Sequence, residues 1–395
     1  MRHKKLISSV IILTAIVAVS IVGVWSLAPG IIEPKMNSVT PHASYLISDK
    51  AKTLHESLII GDWHSDSVLW ERDLASRSNR GHVDIPRLQQ GNVALQMFTT
   101  VTKSPKGQNY QSNSSDAGDN ITLLAMAQGW PLRTWNSLTE RALYQAEKLH
   151  RLTKVHPNTA QLILNQKDLT QLLARRQQGE KTVGVLIGTE GSHALDGDLD
   201  NIQRLYDAGF RMMSLHHFFD NRLGGSLHGE SGSGLSDFGQ QAVDKMLQLG
   251  IMIDVSHSAA QVVEDLLARH QITLIVSHTG VYGHCASHRN FSDALMQKIA
   301  TAGGIIGIGY WDGAVCDATP ENIVRALRYA IDLVGADHVA LGSDFDGSTE
   351  TPFDTSELSV LTHFMLEANF SEKEIRQVMG ENMASYLAKH LPKAQ

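Results

Sequence analysis

The sequence of 395 residues has only two cysteines and no long basic run. Two cysteines are too few for a disulfide scaffold or for a zinc site built from cysteine. A net charge of −7 without long basic runs argues against binding nucleic acid through its phosphates. Three common catalytic motifs are also missing, namely His-Glu-x-x-His, the Walker loop and Gly-x-Ser-x-Gly. Histidine, in contrast, is abundant with 19 residues, so its clustering is the first question.

The N-terminus predicts a membrane-spanning segment. A basic flank, residues 1–5, precedes an uncharged apolar run, residues 6–28, which is long enough to cross a hydrocarbon core of about 30 Å. The flank predicts a cytoplasmic N-terminus and an exported body. A cleaved signal peptide is the alternative, because residues 26–28 have the small side chains of a cleavage site. Pro29 would hinder cleavage, so we favour an uncleaved anchor.

Residues 29–55 are interpreted as a linker, and residues 56–395 as a single domain in which short apolar runs alternate with amphipathic stretches. Eight β-then-α units predict a parallel sheet and favour a closed (β/α)8 barrel of the TIM type. A doubly wound open sheet fits the same alternation. The predicted strands are residues 58–62, 93–99, 182–188, 211–215, 251–255, 272–277, 305–310 and 338–342. The predicted helices include 199–208, 238–249, 259–269, 293–302, 321–334 and one that opens at the capping box of Ser371 and Glu374.

Ionisable side chains follow most of the predicted strands. The carboxyl ends of barrel strands meet at one face, where barrel enzymes keep their active sites. We therefore expect these side chains to converge, although they are far apart in the sequence. They are His64, Asp66, Glu190, His217, His257, His278 and Asp344.

The types and positions of five of these residues predict a pair of metal sites. His64 and Asp66 are spaced to share one face of a strand end, although a satisfied surface pair is the alternative. His257 and His278 repeat one arrangement on consecutive strands. Glu190 follows an apolar strand, and a buried carboxylate must meet cations or donors; a helix-capping role is the alternative. We predict two zinc ions bridged by Glu190, one on His64 and Asp66 and the other on His257 and His278, with a shared hydroxide as nucleophile.

Three further residues are predicted to act on a substrate. Asp344 would carry a proton from the attacking water to a leaving amine, although it could instead be a plain metal ligand or a turn aspartate. His217 would donate to the oxyanion of a tetrahedral intermediate. Arg289 would bind a substrate carboxylate through its guanidinium fork, a solvated surface arginine being the alternative.

Cys285 and Cys316 lie on adjacent loops at the same end of the predicted barrel. In an exported protein this favours a disulfide, whereas a cytosolic chain would keep two free thiols.

Taken together, these motifs resemble the membrane dipeptidases, the renal-type enzymes of peptidase family M19, over residues 58–387. The resemblance rests on Asp-Trp-His64-Ser-Asp66, Ile-Gly-Thr-Glu190-Gly, Ser-Leu-His-His217, Ile-Asp-Val-Ser-His257, Ser-His278, Cys-Ala-Ser-His-Arg289-Asn and Gly-Ser-Asp344-Phe-Asp-Gly. It implies a (β/α)8 barrel with two zinc ions, the ligand set given above, a disulfide between the two cysteines, and substrate contacts from His217, Arg289 and Asp344. Trp63 departs from the family pattern and could narrow the pocket.

The resemblance implies a zinc dipeptidase that acts on small dipeptides, including those with a D-residue at the carboxyl end, and the N-terminal segment predicts that this enzyme is membrane-anchored and exported. Another barrel amidohydrolase, such as a lactonase, phosphotriesterase or deaminase, is the main alternative. Many of those use a metal-bridging carbamylated lysine, whereas Glu190 occupies that place here. A non-catalytic role would need a damaged site, and every expected ligand is present. The sequence leaves the oligomeric state open, and a homodimer is compatible with it.

Overall fold

The computed structural model describes residues 23, 25, 27–269 and 271–394. Most of the predicted membrane segment, residues 6–28, lies outside this range. Within the described residues, no helix is both long and apolar enough to cross a bilayer.

Eight parallel strands close into a barrel, as predicted. Each strand pairs with the next along the chain, and the last pairs with the first, so the open-sheet alternative is wrong. The strands are β1 (Ile60–Ser65), β2 (Val93–Val101), β3 (Val183–Glu190), β4 (Phe210–Ser214), β5 (Met252–Asp254), β6 (Ile275–Thr279), β7 (Ile305–Ile308) and β8 (Val339–Leu341). Every predicted strand overlaps one of these, with ends displaced by up to three residues.

Helices surround the barrel and follow the predicted pattern. The capping box at Ser371 and Glu374 is present, and it begins the helical stretch at the C-terminus. After a helical stretch over residues 27–36, the helices are α1 (Asp49–Glu56), α2 (Ile85–Gln90), α3 (Asn120–Ala127), α4 (Leu138–Val155), α5 (Gln166–Gln177), α6 (Asp200–Asp207), α7 (Asp237–Gln248), α8 (Ala260–Arg269), α9 (Asp293–Thr301), α10 (Asp312–Val315), α11 (Pro320–Val334), α12 (Ser359–Glu367), α13 (Glu372–Arg376) and α14 (Asn382–His390).

Strand β3 shows how the pleat aims a polar group into the barrel. Val185 and Ile187 pack outward in the cluster that includes the helices, whereas Leu186 belongs to the inner cluster. Because side chains alternate along a strand, Gly188 and Glu190 face inward as well. A Cβ atom at Gly188 would lie 2.9 Å from Met212 Cε, so glycine leaves room in the layer beneath Glu190.

Trp63 lies beneath the site and not in its cavity, contrary to the expectation that it could narrow the pocket. Its side chain is fully buried in the inner cluster, with Leu186 and Met383 of α14 among its members. Its ring meets that of Tyr386 edge-on, with 5.6 Å between centroids. A large side chain at this position therefore fills the bottom of the barrel.

Residues 29–55, interpreted above as a linker, include ordered structure. Ser38–Val39 pairs in parallel with Glu350–Thr351, and α1 contacts α12. Apolar residues of α1 such as Leu54 are buried against the barrel core. The folded body therefore begins before residue 56, because the preceding residues complete the packing of the last β/α unit.

Cys285 and Cys316 form a disulfide, with 5.5 Å between their Cα atoms. The bond joins the loop after β6 to the residue that ends α10, after β7. It closes the segment that carries Arg289, and so restrains one side of the barrel mouth.

Candidate metal centre

The seven ionisable side chains predicted to converge do so, at the carboxyl ends of the strands. They come from β1, β3 and β6 and from the first three residues after β1, β4, β5 and β8. All are buried, with exposed fractions between 0% and 8%. The barrel brings them together because its parallel strands end at one rim.

Glu190 stands at the centre of this cluster. Its Oε1 atom lies 3.5 Å from His64 Nε2, 3.4 Å from His257 Nε2 and 3.5 Å from His278 Nε2. Its Oε2 atom lies 3.4 Å from His217 Nε2. One buried carboxylate therefore faces four imidazoles, each at a distance longer than a usual hydrogen bond of about 2.9 Å.

These spacings fit metal ions between the side chains. Zinc bonds of 2.0–2.1 Å in a tetrahedron separate the ligand atoms by roughly 3.3–3.4 Å. His64 Nε2 lies 3.5 Å from Asp66 Oδ1, close to that separation, whereas the Nε2 atoms of His257 and His278 are 2.9 Å apart, at hydrogen-bond distance, and would separate slightly to share an ion. His64 Nε2 is buried and finds no hydrogen-bond partner among the described residues. The donor set is thus suited to hold divalent cations, and Glu190 lies close to both the His64–Asp66 pair and the His257–His278 pair.

Hydrogen bonds outside the cluster orient two of the imidazoles. Ser277 Oγ donates to Asp254 Oδ2 at 2.7 Å and lies 3.0 Å from Nδ1 of both His64 and His278. With its own hydrogen given to Asp254, the hydroxyl accepts from the two Nδ1–H groups. This fixes the tautomer in which Nε2 of His278 presents a lone pair to the cluster, and His64 reaches the same state when a metal ion displaces the second proton that Asp66 and Glu190 favour. Sequence reasoning missed Asp254 and Ser277.

The electrostatics of the cluster are dominated by its carboxylates. Burial opposes the charged form of His64, but the carboxylates of Asp66 and Glu190 raise its pKa well above 6.5, and the surrounding imidazoles, His217 first among them, lower the pKa of Glu190 against the effect of burial. Burial raises the pKa of Asp344 well above its usual range, and the carboxylates of Glu190 and Asp66 add to the effect. Burial also raises the pKa of Asp66, again with help from Glu190. Burial lowers the pKa values of His257 and His278 well below 6.5, which keeps both imidazoles neutral. Neutral imidazoles close to carboxylates are the ligands a metal ion needs, and the ion would favour the ionised form of each carboxyl group.

Two of the site residues occupy strained backbone. His257 has a φ of 62° and Asp344 a φ of 59°, in the left-handed region that non-glycine residues rarely adopt. Such strain costs of order 1–3 kcal/mol and is concentrated at functional sites. Here it lets each residue leave its strand while its side chain still points toward Glu190.

Arg289 lies at the wall of the site. Its side chain is 1% exposed, its Nη2 donates to the His278 carbonyl at 2.9 Å, and its guanidinium stacks over Trp311 at 5.3 Å from the ring centroid. Among the described residues, no carboxylate lies within 4.0 Å of it. A buried guanidinium without an anionic partner is costly, so it is well suited to receive a ligand's carboxylate.

The ligand-type side chains form three overlapping groups. Three groups of side chains have ligand atoms within 4.8 Å of one another: His64, His278 and Asp344; Glu190, His217 and His257; and His64, Asp66 and Glu190. The last is the first zinc site predicted from the sequence. His217 and Asp344 are close enough to be ligands themselves, so their roles as donor and proton carrier remain predictions. The neighbouring His216 lies outside these groups, with its Nδ1 3.0 Å from Ser258 Oγ.

A sequence model of the membrane dipeptidases, peptidase family M19, matches residues 48–389. The chain belongs to the membrane dipeptidase family. It is therefore an M19 metallodipeptidase by family, which agrees with the cluster of ligand-type side chains.

Solved structures share its fold. A dipeptidase of family M19 is 22% identical, with a TM-score of 0.71 over 86% of this chain and 100% of that one. A Rhodobacter sphaeroides metallopeptidase, bound to a phosphinate mimic of the dipeptide L-Ala-D-Ala, is 22% identical, with a TM-score of 0.69 over 85% of this chain and 99% of that one. An amidohydrolase from Pseudomonas aeruginosa is 19% identical, with a TM-score of 0.66 over 86% of this chain and 98% of that one.

The site of this M19 peptidase opens into a cavity of about 580 Å³. Asp66, Glu190, His217, His257, Arg289 and Asp344 line its floor and one side. Sequence reasoning missed two aromatic residues beside Arg289, Trp311 and Tyr110, whose hydroxyl accepts from Trp311 Nε1 at 2.9 Å. Tyr110 comes from the polar stretch after β2, residues 103–120, whose composition predicts a long loop or a mobile lid. Residues of this stretch line the cavity, but no local pattern indicates that Tyr110 lies beside Arg289.

We expect His257→Asn to weaken metal binding by more than about 100-fold, because loss of an outer hydrogen-bond partner of a ligand alone costs 10- to 100-fold. Metal content after dialysis and titration with Zn²⁺ would measure the effect. The matched control is His288→Asn, an exposed histidine one residue from Arg289. Equal metal content and affinity in the two variants would exclude His257 as a ligand.

Proposed function

We propose that this M19 peptidase is a binuclear zinc dipeptidase that hydrolyses the one peptide bond of a dipeptide. The supporting observation is the position of Arg289 beside the ligand cluster around Glu190: its guanidinium is buried and has no carboxylate partner in the part of the chain that the structure describes. Arg289 Nη2 lies 3.3 Å from His257 Nε2, so a carboxylate bound by Arg289 would lie next to the ligand cluster. Such a spacing suits a peptide bond directly next to a C-terminal carboxylate.

Two zinc ions held by His64 and Asp66 and by His257 and His278, with Glu190 shared, would supply a nucleophilic water at neutral pH and polarise the peptide carbonyl. Glu190 holds the place that a carbamylated lysine occupies in many other barrel amidohydrolases. This favours the dipeptidase over that alternative.

The chain's own residues supply the other requirements of amide hydrolysis. Arg289 orients the substrate through two hydrogen bonds to its carboxylate. His217, at the wall of the cavity, donates a hydrogen bond to the oxygen on which negative charge develops. Asp344 accepts the proton of the attacking water and transfers it to the nitrogen of the departing amino acid. The Asp344 carboxyl lies 3.9 Å from His64 Nε2, at the edge of the same cluster.

We include dipeptides with a D-residue at the carboxyl end among the substrates. The R. sphaeroides metallopeptidase that shares this fold binds a mimic of L-Ala-D-Ala. Recognition of the carboxylate by Arg289 does not depend on the configuration of the carbon that carries it. For an exported enzyme, D-containing dipeptides from cell-wall turnover are a suitable source.

We also propose that residues 6–28 anchor the enzyme and that its catalytic domain is exported. The disulfide supports the export, because such bonds persist in oxidising compartments. Extraction of membranes with alkaline carbonate tests the anchor: an uncleaved segment keeps the enzyme in the pellet, whereas release into the supernatant would contradict it.

A panel of Leu-Ala, Leu-D-Ala, Leu-Ala amide and Leu-Ala-Ala tests the function, with and without chelator. We expect turnover of both dipeptides, its loss with chelator, and kcat/KM values at least 10- to 100-fold lower for the amide and the tripeptide. That factor corresponds to about 1.5–3 kcal/mol for hydrogen bonds to a charged group. Turnover of the tripeptide equal to that of the dipeptide would contradict the proposal.

Arg289→Lys is the matched variant for this panel. Lysine keeps the charge but loses the planar fork, so we expect a higher KM for dipeptides and a smaller preference over the amide. An unchanged preference for the dipeptide over the amide would show that another group binds the carboxylate.

A further inference from the structure

One side of the site cavity has no role in the chemistry above. It is apolar, and it is formed by Leu69, Val101, Ile121 and Leu124. Leu69, Val101 and Ile121 are buried in one small cluster with Trp70 and Trp130, and Leu124 packs against that cluster. We call this surface, together with the two residues described next, the apolar wall.

Residues 27–36 are helical and add Ile32 and Met36 to the apolar wall. This segment lies before residue 48, where the match to the family model begins. Ile32 and Met36 are four residues apart and therefore share one face of the helix. Ile31, on a different face, is 56% exposed and does not line the cavity.

Buried charges fix this segment to the barrel mouth. The side chain of Glu33 is fully buried, with Oε1 3.1 Å from Arg72 Nε and Oε2 accepting from Arg80 Nε at 2.5 Å. Arg72 also pairs with Asp346, two residues after Asp344. A buried carboxylate that loses such partners is strongly destabilised, so the segment is held in one position.

A second contact fixes the C-terminal end of the same segment. Asn37 Oδ1 accepts from the Ser348 backbone N–H at 2.8 Å. Ser348 itself lines the cavity, so the helix ends against the loop that carries Asp344. The helix that completes the apolar wall is therefore held in a fixed position beside the site.

The order of strands places the apolar wall opposite Arg289. Leu69 follows β1 and Val101 ends β2, whereas Arg289 is in the loop after β6. In a ring of eight strands, β2 and β6 are diametrically opposed. A dipeptide with its carboxylate on Arg289 and its peptide bond at Glu190 thus extends its first residue toward the apolar wall.

We propose that the apolar wall is the subsite for the side chain of the amino-terminal residue, and that it selects dipeptides that begin with a large apolar residue. The inference rests on the proposed function, because it takes Arg289 as the carboxylate site. Ile32 and Met36, outside the region matched by the family model, are then specificity-determining residues. Transfer of a leucine-sized side chain from water to such a surface corresponds to about a 10- to 100-fold gain in kcat/KM.

The test compares kcat/KM for Leu-Ala, Phe-Ala and Gly-Ala in the wild-type enzyme and in two adjacent variants. We expect the wild type to prefer Leu-Ala over Gly-Ala by about 10- to 100-fold. Ile32→Ala should reduce that ratio several-fold, because it removes apolar contact with the leucine side chain. Ile31→Ala, which alters the exposed face of the same helix, should leave the ratio unchanged.

If Ile32→Ala folds poorly, the variant Ile32→Trp tests the same position by filling the cavity with a larger side chain. Ile32→Trp should lower kcat/KM most for Phe-Ala and least for Gly-Ala, since the indole ring occupies the space for the substrate side chain. The same ratio in wild type, Ile32→Ala and Ile32→Trp would overturn the proposal while leaving dipeptide hydrolysis intact. If none of the three dipeptides is hydrolysed, that result would instead contradict the proposed function.

Discussion

The site depends on one buried carboxylate. Glu190 is 3% exposed and is surrounded by imidazole nitrogens at 3.4–3.5 Å, too far for strong hydrogen bonds. An ionised carboxylate is expensive to bury, and imidazoles at these distances offset only part of that cost although they lower the pKa of Glu190. Divalent cations in the gaps between these atoms would compensate for it. The same gaps are the right size for metal–ligand bonds, so the electrostatic and geometric arguments agree.

The barrel makes this burial possible. Parallel strands with both faces covered carry apolar side chains along most of their length, as β3 does before Glu190. Polar groups are then concentrated where the strands end. The strained residues His257 and Asp344 and the hydrogen bonds from Ser277 adjust the side chains there. Arg289, held on a loop closed by the disulfide, adds the single buried cation on the substrate side among the residues described.

Local patterns were sufficient to predict the strands and the convergence of the ligand-type residues. An apolar run followed by histidine or a carboxylate is visible within about ten residues, and the barrel then determines which ends meet. Residues whose position depends on distant packing could not be found in this way. Trp63 adjoins the metal-type residues in sequence, yet it packs against Tyr386 of the C-terminal helix.

The residues before the barrel show the same limit. Pro29, polar residues and a lack of long apolar periodicity made residues 29–55 resemble a linker. The contacts that order them come from Arg72, Arg80, Ser348 and the strand Glu350–Thr351, which are distant in sequence. Ile32 and Met36 reach the site only through these contacts. Asp254 and Ser277 were missed because their importance depends on imidazoles from two other positions in the barrel.

Crystals of the purified enzyme measured on both sides of the zinc absorption edge would test the central claim most directly. The account expects two anomalous peaks about 3.5–4 Å apart, one on each side of the Glu190 carboxylate. One peak would contradict a binuclear centre. Peaks that do not contact Glu190 would contradict the interpretation of the site as a whole.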